Sequence, residues 1–311
     1  MTTGLYTHQD CLAHVTPPGH PEQVARLEAI AAALSGAAFG ALDRRAAPLG
    51  DLAEVLALHD ADYVKMVQEL APADGIVSLD ADTYMSPGSV TAALRAAGGC
   101  CAAVDAVMAG EIANAFVACR PPGHHAERGT SMGFCLFGNA AIAANHALEA
   151  HGLERVAILD FDVHHGNGTQ DLLWDEPRTL FVSSHQMPLW PGTGDVHETG
   201  AHDNVMNVPL APGTGGAEMR RVYEAQVLPA VADYEPQLVI VSAGFDAHRA
   251  DPLANLNWDT EDFAWLSREI CQLAARASAG RVVSTLEGGY DLTALGESVA
   301  AHVGVLMEAG A

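Results

Sequence analysis

Basic residues are scarce in this chain. Its 311 residues include 15 lysines and arginines against 39 aspartates and glutamates, so the formal net charge is −24. A charge of this sign disfavours non-specific binding to nucleic acid or to anionic membranes. It would attract a cationic substrate by long-range steering, and adaptation to a salty habitat explains it equally well. We therefore expect neither nucleic acid nor a membrane as a partner.

Three further features are missing. None of the six cysteines forms a Cys-x-x-Cys pair, which argues against a structural zinc site and a disulfide framework and leaves small buried thiols. No apolar run reaches the roughly 18–20 residues that a membrane helix needs. The N-terminus lacks the basic and apolar regions of a secretory signal. These absences predict a cytoplasmic protein.

No internal repeat, low-complexity linker or charge block marks a domain boundary. Instead, apolar strand-like runs alternate with Ala-rich segments typical of helices. The predicted strands are Ala113–Cys119, Val156–Leu159, Thr179–Val182, Leu238–Val241 and Arg281–Leu286. The predicted helices are Pro87–Met108, Asn139–Ala150, Ala217–Ala232 and Thr260–Ala279. This alternation predicts an α/β fold, with a central mostly parallel sheet and helices on both faces, in one catalytic domain over residues 1–311. Each strand ends in reactive residues, which such sheets gather at one edge.

The segment Val156–Gly168 carries the strongest chemical signal. An apolar run leads into Asp160, Asp162 and His164, which the period-two geometry of a strand would place on one face. Buried carboxylates survive only when they are paired or bound to metal. With Asp246, Asp162 and His164 supply two oxygens and one nitrogen and leave the open position of a catalytic zinc. Fe(II), Mn(II) or Co(II) would suit the same donors, and Asp246 could instead cap a helix.

Two histidines and a tyrosine are the candidates for proton transfer and charge stabilisation. His124 and His125 follow an Arg-Pro-Pro-Gly turn, and histidine is the side chain best suited to exchange protons near neutral pH. Tyr290 follows two glycines that allow a sharp turn toward the same edge. Its phenol could stabilise an oxyanion, or it could simply pack before the next helix.

Aromatic residues lie beside two turns near this edge, in Gly133-Phe134 and at Trp190. Two aromatic walls would form a narrow channel for an aliphatic, cationic chain. Core packing explains either aromatic equally well.

Taken in order, these motifs resemble the zinc-dependent histone deacetylase family. Within the family the chain resembles the class II-like bacterial members, the histone deacetylase-like amidohydrolases and acetylpolyamine amidohydrolases, and the resemblance implies their arginase–deacetylase fold. The matching segments are His20–Leu27, Arg120–His125, Gly133–Cys135, Asp160–Gly168, Pro191–Gly194, Ser242–Asp246 and Leu286–Tyr290. The resemblance covers roughly residues 5–305.

The resemblance implies a role for each candidate. Asp162, His164 and Asp246 resemble the ligands of one Zn²⁺ per chain, with Fe²⁺ as the alternative. His125 resembles the general base, and His124 resembles its electrostatic partner. Asp160 and Asn167 would support the two histidines from behind, Tyr290 would polarise the acetyl carbonyl, and Arg26 would line an inner pocket for acetate. The resemblance also implies a potassium site formed by Asp160, Asp162, His164, Ser183 and Ser184. It implies substrate contacts at Gly133, Phe134, Trp190, Leu253 and Gly288.

Three departures from the family pattern bear on the branch and the substrate. Asn167 stands where one branch has aspartate, which indicates the class II-like branch. Trp190 is similar to a tryptophan of polyamine-deacetylating members, whereas Leu253 lies where the eukaryotic polyamine deacetylase carries a glutamate. The resemblance therefore leaves protein acetyl-lysine and small acetylated polyamines both open as substrates.

The sequence thus predicts a hydrolase that removes acetyl groups from N-acetylated amines. A binuclear manganese ureohydrolase of the arginase kind is the first alternative, and His165-Gly-Asn167 interrupts the Asp-Ala-His-x-Asp pattern that it would need. A non-catalytic acyl-lysine binding module is the second, and the complete set of candidate catalytic residues argues against it. Neither the acyl length nor the oligomeric state is predicted.

Overall fold

The computed structural model describes residues 1–311, which form ten strands and ten α-helices. The strands are β1 (Thr3–Thr7), β2 (Asp43–Ala46), β3 (Val77–Ser78), β4 (Tyr84–Met85), β5 (Asn114–Val117), β6 (Val156–Asp160), β7 (Thr179–Gln186), β8 (Val205–Leu210), β9 (Leu238–Ala243) and β10 (Val282–Leu286). The helices are α1 (Ala25–Ala33), α2 (Leu52–Leu56), α3 (Ala61–Leu70), α4 (Ser89–Met108), α5 (Asn139–His151), α6 (Asn167–Leu173), α7 (Gly216–Val222), α8 (Leu228–Tyr234), α9 (Thr260–Ala277) and α10 (Leu292–Gly310).

Eight strands form one sheet in the order β2-β1-β5-β10-β9-β6-β7-β8, and every neighbouring pair is parallel. Strands β3 and β4 form a separate antiparallel pair. One helical layer, α4 to α6, packs on β5, β10, β9, β6 and β7. A second layer is built on α10, which packs on β1 and β5 and carries α1 and α9. A parallel sheet covered on both faces needs strands that are apolar along most of their length, as β6 is before Asp160 and β9 is before Ser242.

The predicted α/β architecture is confirmed, and all five predicted strands are present with bounds shifted by a few residues. Three strands of the sheet escaped the sequence pattern. Two of them, β2 and β8, are the edge strands. The sequence of β2 is Asp-Arg-Arg-Ala, and β8 contains Pro209, which cannot donate to a ladder and is tolerated at an edge. Sequence patterns that seek buried strands therefore miss them.

Several local predictions were wrong. Strand β6 ends at Asp160, so Asp162 and His164 lie in the bend after it rather than on the strand. No helix begins at Asp246, which excludes the capping alternative. The long helix predicted for residues 217–232 is divided into α7 and α8 by a π-helical segment, Tyr223–Val227.

Helix α4 corrects the expectation that no segment is apolar enough to cross a membrane. It passes that test by length and composition, but 67% of its apolar window is buried inside the fold. The six cysteines are free and buried, as the missing Cys-x-x-Cys spacing predicted.

Candidate active site and metal centre

The three predicted metal ligands meet at the carboxyl edge of the sheet. Asp162 and His164 follow β6, and Asp246 follows β9, the neighbour of β6 in the sheet. All three are buried, and their ligand atoms lie within 4.8 Å of one another. The Nδ1 atom of His164 lies 3.2 Å from Oδ1 of Asp162 and 3.2 Å from Oδ2 of Asp246. Two carboxylates and one imidazole thus face a common point.

The two buried carboxylates of this trio favour positive charge next to them. Burial disfavours a charged His164, yet hydrogen bonds to Asp162 and Asp246 outweigh burial and raise the pKa of His164 to about 10. Histidines are the only ion-pair partners of the two carboxylates. A Cβ at Gly288 would collide with the carboxylate oxygens of both aspartates, so the glycine lets the backbone approach them closely. The donor set and its charge fit a divalent cation with an open coordination position.

The tandem histidines occupy two different electrostatic environments. His124 Nδ1 lies 3.0 Å from Asp160 Oδ2. Burial opposes its charge, but Asp162 and Asp160 raise the pKa of His124 well above the ordinary value. His125 Nδ1 lies 2.7 Å from the Asn167 side-chain oxygen. Burial and the charge of His124 hold its pKa well below the ordinary range. The pair therefore combines a cationic imidazole with a neutral one that is free to accept a proton.

A buried glutamate fixes the loop that carries these histidines. Both backbone N–H groups of Gly123 and His124 donate to Oε2 of Glu287, at 2.7 and 3.1 Å. Burial raises the pKa of Glu287 to about 7. The N-terminus of α6 holds the same loop, because the N–H groups of Gly168 and Thr169 both donate to the carbonyl of His124.

Tyr290 follows β10, the strand between β5 and β9, and is held through its backbone and its ring. Its N–H donates to Oδ2 of Asp251 at 2.7 Å. The guanidinium of Arg26 lies 4.9 Å from the centre of the phenol ring. Arg26 donates to the carbonyls of Gly289 and Glu287, so it also clamps the turn before Tyr290. Burial raises the pKa of Tyr290 well above its ordinary value, which keeps the phenol protonated as a donor.

A cavity of about 200 Å³ opens above these groups. The residues that line it are Asp82, His125, Gly133, Phe134, His164, Leu189, Trp190, Leu253 and Tyr290. Its volume is below the roughly 300–1,000 Å³ of pockets for drug-sized ligands, so it suits a slender chain.

The aromatic part of the wall depends on an unusual backbone. Gly133 and Phe134 both have positive φ, of 55° and 69°. Glycine is required at the first position because a Cβ there would collide with the His125 ring. Phe134 is a non-glycine residue in the left-handed region, so its backbone is strained, and strain of this kind concentrates at functional sites. The Trp190 ring lies 4.7 Å from the ring of His125, on the same cavity.

Two of the residues predicted to hold potassium, Asp162 and His164, belong to the trio, and the other three lie on β6 and β7. Asp160 and Ser183 are paired across β6 and β7, and both are fully buried. The Ser184 hydroxyl lies 2.6 Å from the hydroxyl of Tyr223, in the π-helical segment. Their assignment to potassium stays a prediction.

The structure brings together every predicted site residue except in two details. Gly288 does not line the cavity: it lies behind the trio, where its N–H donates to Oδ2 of Asp162 at 2.8 Å. Arg26 is wholly buried with its donors engaged by protein oxygens, so its role in holding acetate stays a prediction.

The sequence interpretation missed Asp82, Glu127, Asp251 and Glu287. Asp82 follows no strand of the main sheet, so the edge rule had no means of finding it. Glu287 and Asp251 lie inside or beside recognised motifs, yet their partners are backbone N–H groups, which leave no mark in a sequence.

Comparison with known proteins gives a consistent result. Residues 20–306 match the family described as the histone deacetylase domain. A probable deacetylase of Archaeoglobus fulgidus is 38% identical, with 94% of this chain and 82% of that protein covered. A histone deacetylase-like amidohydrolase of Pseudomonas aeruginosa is 41% identical, with 80% and 66% covered. The crystal structure of an HDA15 HD domain matches with a TM-score of 0.92 and 33% identity, over 99% of this chain and 88% of that one.

Proposed function

Because this chain belongs to the histone deacetylase family of amide hydrolases, we propose that it removes the acetyl group from N-acetylated primary amines, either protein lysines or small polyamines. The observation that carries the proposal is the convergence of three groups on one narrow cavity. The buried trio, the neutral imidazole of His125 and the phenol of Tyr290 are each in position to act on one amide.

The metal belongs to the trio of Asp162, His164 and Asp246. We propose a single Zn²⁺, with Fe²⁺ as the alternative, and K⁺ as a structural ion beneath it. A divalent cation held there supplies Lewis acidity for amide hydrolysis. The carboxylates and the imidazole would be deprotonated in that state, as metal ligands must be.

The chain's own residues move the proton and stabilise the charge. His125 takes a proton from water through the ring nitrogen that does not face Asn167, as the water oxygen adds to the acetyl carbon. It later gives that proton to the amine nitrogen as the C–N bond breaks, which leaves acetate and the free amine. His124 keeps a positive charge beside it, supported by the carboxylate of Asp160. The Tyr290 hydroxyl donates a hydrogen bond to the acetyl oxygen as negative charge develops on it.

The two alternatives have less support. A second manganese ion would need a further free carboxylate beside the trio, but Asp160 already accepts from the His124 ring and from the N–H of Asp162. A non-catalytic binding module would not need the imidazole of His125 and the phenol of Tyr290 at the cavity beside the trio, and the family membership indicates a hydrolase.

The cavity wall suggests the shape of the substrate. Phe134, Trp190, Leu189 and Leu253 supply an apolar passage for an aliphatic chain, and Asp82 places a carboxylate at the same cavity. An N–H group or a positive charge beyond the chain would be attracted by Asp82 and by the net charge of −24.

The test is a substrate panel with zinc-loaded protein, with and without a chelator. It contains acetyl-lysine peptides, acetylputrescine, acetylspermidine and lysine peptides with longer acyl groups. We expect chelator-sensitive release of the free amine from at least one acetylated member. Binding of these compounds without any hydrolysis, or hydrolysis that survives removal of metal, would refute the proposal.

A further inference from the structure

Behind the imidazole of His125 lies a second hydrogen bond that determines which nitrogen can act as a base. Oδ1 of Asn167, the first residue of α6, lies 2.7 Å from Nδ1 of His125. Its amide nitrogen lies 2.7 Å from Oε1 of Glu127 and 3.3 Å from Sδ of Met132. Both of the latter atoms can only accept in this setting.

These partners fix the orientation of the Asn167 amide. If the amide turned over, its oxygen would face the carboxylate of Glu127, and two acceptors would oppose each other. Its NH₂ group would then face His125 and force Nδ1 to accept. With the observed orientation, Nδ1 of His125 must carry the proton, so Nε2 keeps its lone pair.

We propose that Glu127 is a positioning residue for catalysis, because its carboxylate fixes the Asn167 amide and through it the Nδ1–H tautomer of His125. The proposal rests on the function proposed above, in which His125 is the general base. A neutral asparagine cannot select the tautomer alone, since it offers a donor and an acceptor of similar size. The carboxylate of Glu127 removes that ambiguity, because it accepts only and so binds the NH₂ group of Asn167.

The backbone of Glu127 is held independently of its side chain. Its N–H donates to the carbonyl of Thr130, and its own carbonyl accepts from Thr130 and from the ring of His59. The side chain is half-buried. Substitution of the carboxylate should therefore leave the loop folded. It should change only the two successive hydrogen bonds from Glu127 to Asn167 and from Asn167 to His125, which we call the relay.

The experiment exchanges the carboxylate and the amide between positions 127 and 167. In Glu127→Gln, both amides can turn over together, so the wrong tautomer becomes accessible. In Asn167→Asp, two carboxylates oppose each other across the contact that is 2.7 Å in the native pair, and their repulsion should move the aspartate away from His125. In the double variant, an aspartate at 167 can only accept from His125, and the glutamine at 127 can donate to that aspartate. The tautomer is then specified again with the opposite arrangement of charge.

We expect kcat to fall by about tenfold in each single variant, a part of the roughly 10²–10⁴-fold that general base catalysis supplies. KM and zinc content should not change. The double variant should exceed both single variants in kcat, a coupling that independent sites do not show. Glu154→Gln, at an exposed glutamate, is the matched control and should behave as the native enzyme. A double variant no faster than the slower single variant would overturn the proposal.

A spectroscopic measurement separates this inference from the proposed function. Long-range ¹H–¹⁵N correlations of the histidine rings distinguish the two tautomers without any substrate. The native protein should show Nδ1–H at His125, and Glu127→Gln should show a mixture. An Nε2–H tautomer in the native protein would refute the relay even if the enzyme deacetylates. Absence of activity with the Nδ1–H tautomer present would refute the function and leave the relay intact.

Discussion

Two clusters in this molecule each combine three histidine and aspartate side chains, and they differ in burial and in what balances their charge. The buried trio Asp162, His164 and Asp246 lies at the carboxyl edge of the sheet. The second cluster lies on the surface between α4 and α5, where Asp105 accepts from both His146 and His151, each with Nε2 at 2.7 Å from Oδ1. We call it the surface cluster.

The difference lies in what balances the charge. The side chain of Asp105 is 56% exposed, so water and salt screen it. Asp162 and Asp246 are nearly inaccessible, and only histidines pair with them. A buried carboxylate without sufficient countercharge is costly, which makes a bound cation favourable at the edge and unnecessary at the surface. Residue type therefore does not identify a metal site, whereas burial and missing countercharge do.

The largest expected contrast comes from removing one carboxylate charge at each cluster. Asp246→Asn should reduce zinc affinity by more than about 100-fold, the upper loss seen when only an outer partner of a metal ligand is removed. Deacetylation should fall below detection. Asp105→Asn, the matched variant in the surface cluster, should retain the native zinc content and kcat. Zinc content by mass spectrometry and initial rates would decide, and equal losses in the two variants would refute the distinction.

Tyr290→Phe tests the same edge without touching the ligands. It removes one donor to the developing oxyanion, so kcat should fall by about 10²–10³-fold. The zinc content should equal that of the native enzyme, and the fold should be unchanged because the ring and its backbone contact with Asp251 remain. Unaltered turnover on every acetylated amine would show that the phenol has no part in the reaction.

Metal binding should also stabilise the fold, and this effect is smaller. At a free zinc concentration of 100 times Kd, linkage predicts a gain of about 2.7 kcal/mol in the free energy of unfolding. Denaturant titrations of the metal-free and zinc-loaded protein would measure it. Asp246→Asn should lose most of the gain, and Asp105→Asn should keep it. A gain that survives in Asp246→Asn would place the stabilising ion elsewhere.

The sequence was sufficient to predict those site residues that directly follow the strands of the sheet. Tandem histidines after β5, the trio after β6 and β9, and Tyr290 after β10 meet because these four strands are adjacent in the sheet. It was insufficient for side chains whose partners are distant in sequence and lie in loops. Glu127 contacts Asn167 forty residues away, and Glu287 binds backbone N–H groups 163 and 164 residues away. Such contacts depend on the loop conformation, which has no periodicity to read.

The smallest expected effect is the contribution of the surface cluster to stability, and it should depend on pH. His146 is faced by Asp105, Glu54, His151 and the thiol of Cys101. Burial lowers its pKa, but hydrogen bonds to Asp105 and Glu54 outweigh burial and raise it above the ordinary value.

A raised pKa in the folded state means that the stabilisation is complete below the unfolded pKa, about 6.5, and is lost as the pH rises through the folded pKa. Asp105→Asn should therefore cost up to about 1 kcal/mol near pH 6, the usual limit for an exposed ion pair. It should cost less near pH 9, because His146 loses its charge, and the pair its stabilising effect, as the pH rises through the raised pKa of the folded state. Denaturant unfolding at the two pH values gives the difference, with Glu154→Gln as the control. A loss that is larger at high pH would have the wrong sign for an ion pair and would mean that the surface cluster is held by another interaction.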